Sequence, residues 1–260
     1  MSLITLTTDF GSGSPYVAAM KGVILSIDPD ARIVDLTHAV PAQDVRQGAL
    51  VLDEVTPWFP AGTVHVAVVD PGVGSQRRIV YAEIGDQRYV APDNGLLDRL
   101  AARRRVCKII AVAERAFWLP AVSATFHGRD IMAPVAARLS RGLAAEQLGP
   151  PIEKLVTLTW PEVVVLPREI RGTVQSIDSF GNLITDITGP MLADVPRDES
   201  VRIACDEHET LGIYRTYSDQ PAMTLMALVG SSGRLELAIV EDSAAAMLGI
   251  RTGTPVVVSW

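Results

Sequence analysis

Residues 64–69 read VHVAVV, and this run limits the fold more than any other stretch of the chain. A strand with one face in water alternates apolar and polar side chains, whereas a nearly continuous apolar run needs cover on both faces. Such a strand belongs in the middle of a sheet with helices above and below, the arrangement that βαβ units build.

The surrounding sequence agrees. Over the first 150 or so residues, short β-rich runs alternate with amphipathic helical patterns. Strands are predicted at 2–8, 33–35, 64–69, 79–83 and 106–113. Ser14 and Pro15 read as the N-cap and first residue of a helix whose apolar face is Val17, Met20, Val23 and Ile24. Val45, Ala49, Leu52 and Val55 recur on one side of a second helix over 44–55. Further helices are predicted over 96–104 and from about Asp130, with Pro134 in the first turns, where proline is tolerated.

The stretch LGPPIEKLVTLTWPEVVVLP at 148–167 has four prolines and no helical period, and reads as a boundary. Beyond it the pattern becomes strand, tight turn, strand, in EIRGTVQSIDSFGNLITDI and again in MTLMALVGSSGRLELAIV. The expected architecture is α/β: an N-terminal, mainly parallel α/β/α sheet domain over 1–157, followed by a smaller C-terminal antiparallel β-barrel domain over 158–260.

Composition excludes several partners. A net charge of -7 lacks the concentrated basic face that nucleic-acid phosphates require, and Arg103–Arg105 reads as a solvated helix end. No run approaches the ~18 apolar residues of a membrane span, and the start carries no basic leader, so a cytoplasmic protein is expected. Cys107 and Cys205 lie far apart without CxxC spacing and read as free, buried thiols. His38, His65, His127 and His208 show no metal-ligand spacing, so no metal is expected. His65 reads as a core histidine, His38 as a loop hydrogen-bonding residue, and His208 as part of an acidic loop.

Parallel sheets hold ligands beyond the carboxyl ends of their strands. Three polar clusters fall at such ends: TTDFGSGS at 7–14, VDPGVGSQRR at 69–78 and TFHGRD at 125–130. Each has a purely structural reading as a turn or a helix entry, but together they converge on one crevice. Neither GVGSQR nor GSGSPY has the spacing of a phosphate loop. Asp9 suits a ligand with hydroxyls, because a carboxylate accepts two hydrogen bonds from a diol. A guanidinium within about 4 to 6 Å favours the ionised carboxylate, so Arg77 beside Asp70 is expected to keep it an anion. His127, before a helix N-terminus, is expected to be neutral. An imidazole next to a fixed ion pair can orient and polarise one water without a metal.

The joint, collinear occurrence of TTDFG, DLTH at 35–38, VDPGVGSQRR, APDNGLL at 91–97, FHGRD, SFGN at 179–182 and GSSGRLELA at 230–238 resembles the S-adenosyl-L-methionine (SAM) hydroxide adenosyltransferases. These adenosine-forming SAM hydrolases are relatives of the fluorinases and chlorinases. The resemblance implies attack of water on the ribose C5′ of SAM, giving adenosine and L-methionine, with SAM as substrate and no further cofactor. It implies a homotrimer whose ligand lies between one subunit's N-terminal domain and its neighbour's C-terminal domain. The family's catalytic aspartate, arginine and histidine fall on Asp70, Arg77 and His127, and its ribose-binding aspartate on Asp9. Asn182 matches the adenine-contacting asparagine, with Phe180 and Phe126 as ring neighbours. Asp178 matches the acid that meets the methionine ammonium. Ser231, Glu236 and the backbone near Ile239 match further ligand contacts. The halogenases carry tyrosine and serine where this chain has Asp70 and Gly128. Three other readings stand beside hydrolysis: a SAM or adenosine sensor without turnover, a SAM-dependent halogenase, and methyl transfer.

Overall fold

A computed structural model describes residues 3–11 and 13–260. The chain divides into two compact units, Met1–Leu158 and Thr159–Trp260.

The first unit is built on a six-stranded sheet. In chain order its strands are β1 (Leu3–Thr8), β2 (Arg32–Thr37), β3 (Val64–Val68), β4 (Ile79–Ile84), β5 (Gln87–Pro92) and β6 (Val106–Ala111), arranged β2-β1-β3-β5-β4-β6. The pairs β1–β2, β1–β3 and β3–β5 are parallel, while β4 runs antiparallel to both β5 and β6. Helices α1 (Tyr16–Ile27), α2 (Val45–Val55), α3 (Asp98–Arg103) and α4 (Ala133–Ser140) complete the unit.

The run at 64–69 does what its composition demands. Val64, Val66 and Val68 pack with Ile4, Leu6, Met20, Ile24, Val135 and Leu139, on the side of α1 and α4. Ala67 and Val69 pack the opposite way with Leu52, Leu96 and Leu100, against α2 and α3. Each such fully buried aliphatic side chain stabilises by about 1.5–3 kcal/mol, which is why both helical layers stay on the sheet. His65 is fully buried on the same strand as a core histidine, its Nδ1 2.7 Å from Thr5 Oγ1 and its ring stacked on Tyr89.

Several local expectations change. Strand β5 is absent from the sequence reading, although Gly85–Asp86 between β4 and β5 is a two-residue hairpin loop with Gly85 at φ 62°. Pro15, not Ser14, occupies the N-cap of α1, and Ser14 Oγ accepts the Tyr16 amide at 3.3 Å. The expected first strand includes Ser2, which lies outside the described residues. Arg103 and Arg104 are not merely solvated: both donate to the buried Asp53 carboxylate on α2, each at 2.7 Å. Cys107 is exposed, against expectation, while Cys205 is buried.

The helix near Asp130 begins differently as well. Residues Gly128–Met132 form a π turn that runs into α4. Pro134 has no N–H for the Asp130 carbonyl and its ring would crowd that oxygen in a regular α turn. The wider turn relieves this: Ala133 N–H reaches back to Gly128 O, and Asp130 O instead accepts from Leu119 N–H at 2.8 Å. Buried Asp93 accepts the Val156 amide at 2.8 Å and is ion-paired with Arg78, while Asp98 accepts the Leu158 amide at 3.2 Å.

The second unit is an antiparallel sheet ordered β11-β10-β14-β8-β9-β13-β12, with β7 added beside β8. Its strands are β7 (Val164–Leu166), β8 (Glu169–Ile177), β9 (Leu183–Thr188), β10 (Arg202–Cys205), β11 (His208–Leu211), β12 (Leu225–Val229), β13 (Arg234–Ile239) and β14 (Pro255–Ser259), with one short helix, α5 (Ala244–Leu248). The end strands approach each other, Thr210 Oγ1 donating to Leu225 O, so the sheet is a nearly closed barrel. Its interior holds Ile170, Val174, Leu183, Ile203, Leu235, Leu237 and Val258. His208 lies in β11 rather than in a loop, and β7 arises from the proline-rich stretch read as a boundary.

Candidate active site

In the first unit, β3 ends at Val68 and the chain turns through Asp70-Pro-Gly-Val-Gly before entering β4. The turn closes on itself through Val73 N–H to Asp70 O and Ser75 N–H to Gly72 O, both 3.1 Å. This curl returns Arg77 to Asp70. Arg77 Nε donates to Asp70 Oδ1 at 2.8 Å and Oδ2 at 3.0 Å, and Nη2 donates to Oδ2 as well. The Asp70 and Arg77 side chains are only 4% and 11% exposed, so little water screens the pair.

Gly74 brings the third member within reach. It sits at φ 79°, and a Cβ there would lie 2.4 Å from the Ala124 carbonyl oxygen. Only glycine lets the turn lie so close to the segment that carries Phe126 and His127. Arg77 Nη2 is 2.9 Å from His127 Nδ1. A guanidinium has no lone pair to offer, so Nδ1 accepts, and the ring is the neutral tautomer with its proton on Nε2. Burial, reinforced by the Arg77 charge, holds the His127 pKa below its ordinary value, against a smaller opposing pull from Asp70 and Asp130.

Asp9 follows β1. The main-chain N–H of Gln43, a residue in left-handed conformation at φ 65°, donates to Asp9 Oδ2 at 2.8 Å. Phe126 packs edge-on against Phe10 and Tyr16, with centroids 5.8 and 5.2 Å away, and the Arg129 guanidinium stands 4.9 Å over its ring. Gly128 fits where a Cβ would press on Val68 and Met20 at 3.2–3.4 Å. A cavity of about 800 Å³ reaches Arg77 and His127 but not Asp70, lined also by Ser75, Arg115, Trp118 and Ile131.

In the second unit, Asp178 Oδ1 accepts the amides of Phe180 and Asn182, and its Oδ2 accepts Asn182 Nδ2, each at 2.9 Å. Phe180 stands 77% exposed at the tip of this turn. Glu236, buried on β13, accepts from the Tyr217 hydroxyl. Burial raises its pKa, Asp178 adds to the rise, and the Tyr217 bond opposes it. Ser231 lies in the turn between β12 and β13. The Ile239 side chain belongs to the barrel core, and its carbonyl accepts the Asp242 amide at 3.1 Å.

The structure thus brings Asp70, Arg77 and His127 together in one unit, and Asp178, Phe180 and Asn182 together in the other. Two neighbours escaped the sequence reading, the Gln43 amide and Tyr217. Among the described residues no group of three or more His, Cys, Asp or Glu side chains is placed to hold a metal ion. None of the described helices is long and apolar enough to cross a membrane.

A parallel-rich α/β unit that gathers a carboxylate, a guanidinium and a neutral imidazole past its strand ends, joined to a nearly closed β-barrel, defines a two-part enzyme scaffold. The SAM hydroxide adenosyltransferase N-terminal domain model matches residues 4–149 and the corresponding C-terminal domain model residues 172–257. The chain belongs to the SAM hydroxide adenosyltransferase family. It is 41% identical to the (R)-S-adenosyl-L-methionine hydrolase of Salinispora tropica, over 96% of this chain and 95% of that one. A fluorinase of Actinopolyspora mzabensis is 27% identical over 71% of each chain. Among solved structures, an uncharacterized conserved protein from Thermotoga maritima superimposes with a TM-score of 0.93 at 34% identity, covering 99% of this chain and 100% of that one.

Proposed function

We propose that this chain hydrolyses SAM to adenosine and L-methionine by attack of water on the ribose C5′. The observation that carries the mechanism is Arg77 bridging Asp70 and His127. Because Nδ1 of His127 is occupied by Arg77, its Nε2–H is a donor towards an incoming oxygen and the ring cannot take that oxygen's proton. Asp70 is left as the acceptor. In this reading Asp70 accepts the water's proton, His127 aims the water, and Arg77 steadies the hydroxide character that develops.

The chemistry suits such a site. The leaving group is a sulfonium, so charge is neutralised as the bond to C5′ breaks and methionine departs as a neutral thioether without an acid. Holding the water in line about 3 to 3.5 Å from carbon contributes up to roughly 7–11 kcal/mol in favourable cases. General-base assistance adds about 10²- to 10⁴-fold. A halide ion in place of water would meet the Asp70 carboxylate as a like charge, which favours hydrolysis over halogenation. Asp9 takes the ribose diol, Phe126, Phe180 and Asn182 take the adenine, and Asp178, Ser231, Glu236 and the Ile239 backbone take the remaining ligand contacts. The reading includes a homotrimer with active sites shared between subunits, a cytoplasmic setting, and no cofactor besides the substrate.

The test is turnover of SAM in oxygen-18 water. Heavy oxygen at the adenosine 5′ position is expected, with Asp70→Asn abolishing turnover but retaining adenosine binding. A 5′-halogenated nucleoside as main product, transfer of the methyl group, or binding without turnover overturns the assignment.

A further inference from the structure

His38, in the motif DLTH, is given no role by the reaction described above, yet it stands directly behind the Asp9 turn. Its Nδ1 is 2.9 Å from Thr8 Oγ1, and Thr8 Oγ1 also accepts the Phe10 amide at 3.2 Å. Its own carbonyl accepts the Gly11 amide at 2.8 Å. On the far side of the ring, Nε2 is buried, makes no well-aligned hydrogen bond, and lies 3.1 Å from Asp35 Oδ1, whose other oxygen is held by Lys21 at 2.6 Å.

These contacts fix the roles of the atoms. The Asp35 carboxylate favours the ring proton on Nε2. That leaves the Nδ1 lone pair for the Thr8 hydroxyl, whose own lone pair is taken by Phe10 N–H. Residues 8–11 are therefore tied to the 38–43 loop at three points: the His38 ring, the His38 carbonyl, and the Gln43 amide on Asp9. With one carboxylate oxygen spoken for by Gln43, the direction of the other depends on how the two loops are braced.

We infer that His38 is a positioning residue for Asp9: hydrogen-bonded through its ring to Thr8 and through its carbonyl to Gly11, with Asp35 behind it, it holds the turn that presents the Asp9 carboxylate to a ribose diol. The inference rests on the reading of Asp9 as the diol acceptor. It concerns binding of the nucleoside, not the displacement step, so the two are separable by experiment.

The experiment is a double-mutant cycle on adenosine binding, with SAM turnover measured alongside. His38→Ala is expected to weaken adenosine binding by about tenfold while Asp9→Asn is present or absent with unequal effect: tenfold in the parent chain and nearly none in the Asp9→Asn chain. His38→Asn, whose amide reaches the place of Nδ1, is expected to restore most of the affinity, and kcat at saturating SAM is expected to stay within about threefold of the parent. Equal losses in both backgrounds, no rescue by asparagine, or a fall in kcat with unchanged affinity each overturn the inference. Should His38→Ala fail to fold, the same cycle with Thr8→Val, which removes the hydroxyl that His38 Nδ1 meets, decides it, coupling with Asp9→Asn again being required. A parent chain that binds adenosine through Asp9 but leaves SAM intact overturns the hydrolase reading and spares this one. A chain that binds no adenosine overturns it.

Discussion

His65 has no exposed surface, and its ring stacks on Tyr89 with centroids 5.0 Å apart. A proton added there would place a charge in the core, so burial pushes the pKa down to about 4, with the neighbouring Gln87 pulling weakly the other way. In the unfolded chain the same ring takes a proton near 6.5. Between those values the unfolded state binds more protons. Stability contributed by the neutral ring is therefore whole above about pH 6.5, declines as pH falls, and is gone below about pH 4. The gap corresponds to about 3 kcal/mol. Denaturant unfolding of the parent chain and of His65→Phe at pH 4, 5, 6 and 7 should show a much shallower pH slope for the variant, and parallel slopes would contradict the account. At this scale the sequence was legible where side chains carry the chemistry. Asp70, Arg77 and His127 read as one group before any coordinates, because acid, guanidinium and imidazole have recognisable complementarity. The Gln43 amide did not, since a main-chain donor placed by a left-handed residue has no side-chain signature. Tyr217 did not either, because one aromatic in a polar loop does not announce a buried glutamate as its partner.

Short elements set the geometry of the triad, and their legibility followed from what each depends on. The fully buried β3 announced itself through composition alone. Strand β5, QRYVAP, was overlooked because it is short, opens on two polar residues and ends in proline, although the Gly-Asp turn before it was a usable hairpin signal. The π turn at Gly128–Met132 depends on where one carbonyl goes when Pro134 offers it no donor, a tertiary matter settled by Leu119. The turn through Gly74 is the element whose failure should cost most. Gly74→Ala puts a methyl group against the Ala124 carbonyl at a φ that alanine resists. A loss of about 1–3 kcal/mol is expected, with a fall in kcat because the His127 segment must retreat from Arg77. Thermal unfolding and steady-state SAM turnover of the variant check both parts, and an unchanged kcat would mean that the close approach is not what seats His127.

At the scale of the whole molecule, the α/β class with a barrel-like second part followed from the change of period along the chain, from helix-and-strand alternation to strand, turn, strand. Assembly is different, because no pattern in a single chain counts its copies, and the homotrimer rests on the resemblance. A homotrimer would scatter light as a particle of three times the chain mass, unchanged on tenfold dilution, and a monomer at working concentration would overturn that assembly. Asp9, Asp70 and Arg77 sit on connecting segments and His127 at the entry to a helical turn, and none belongs to the clusters that hold helices to sheet. Swapping the reacting groups therefore leaves the interlocking of the scaffold nearly untouched, so a lineage can try new nucleophiles one loop at a time while its architecture stands still.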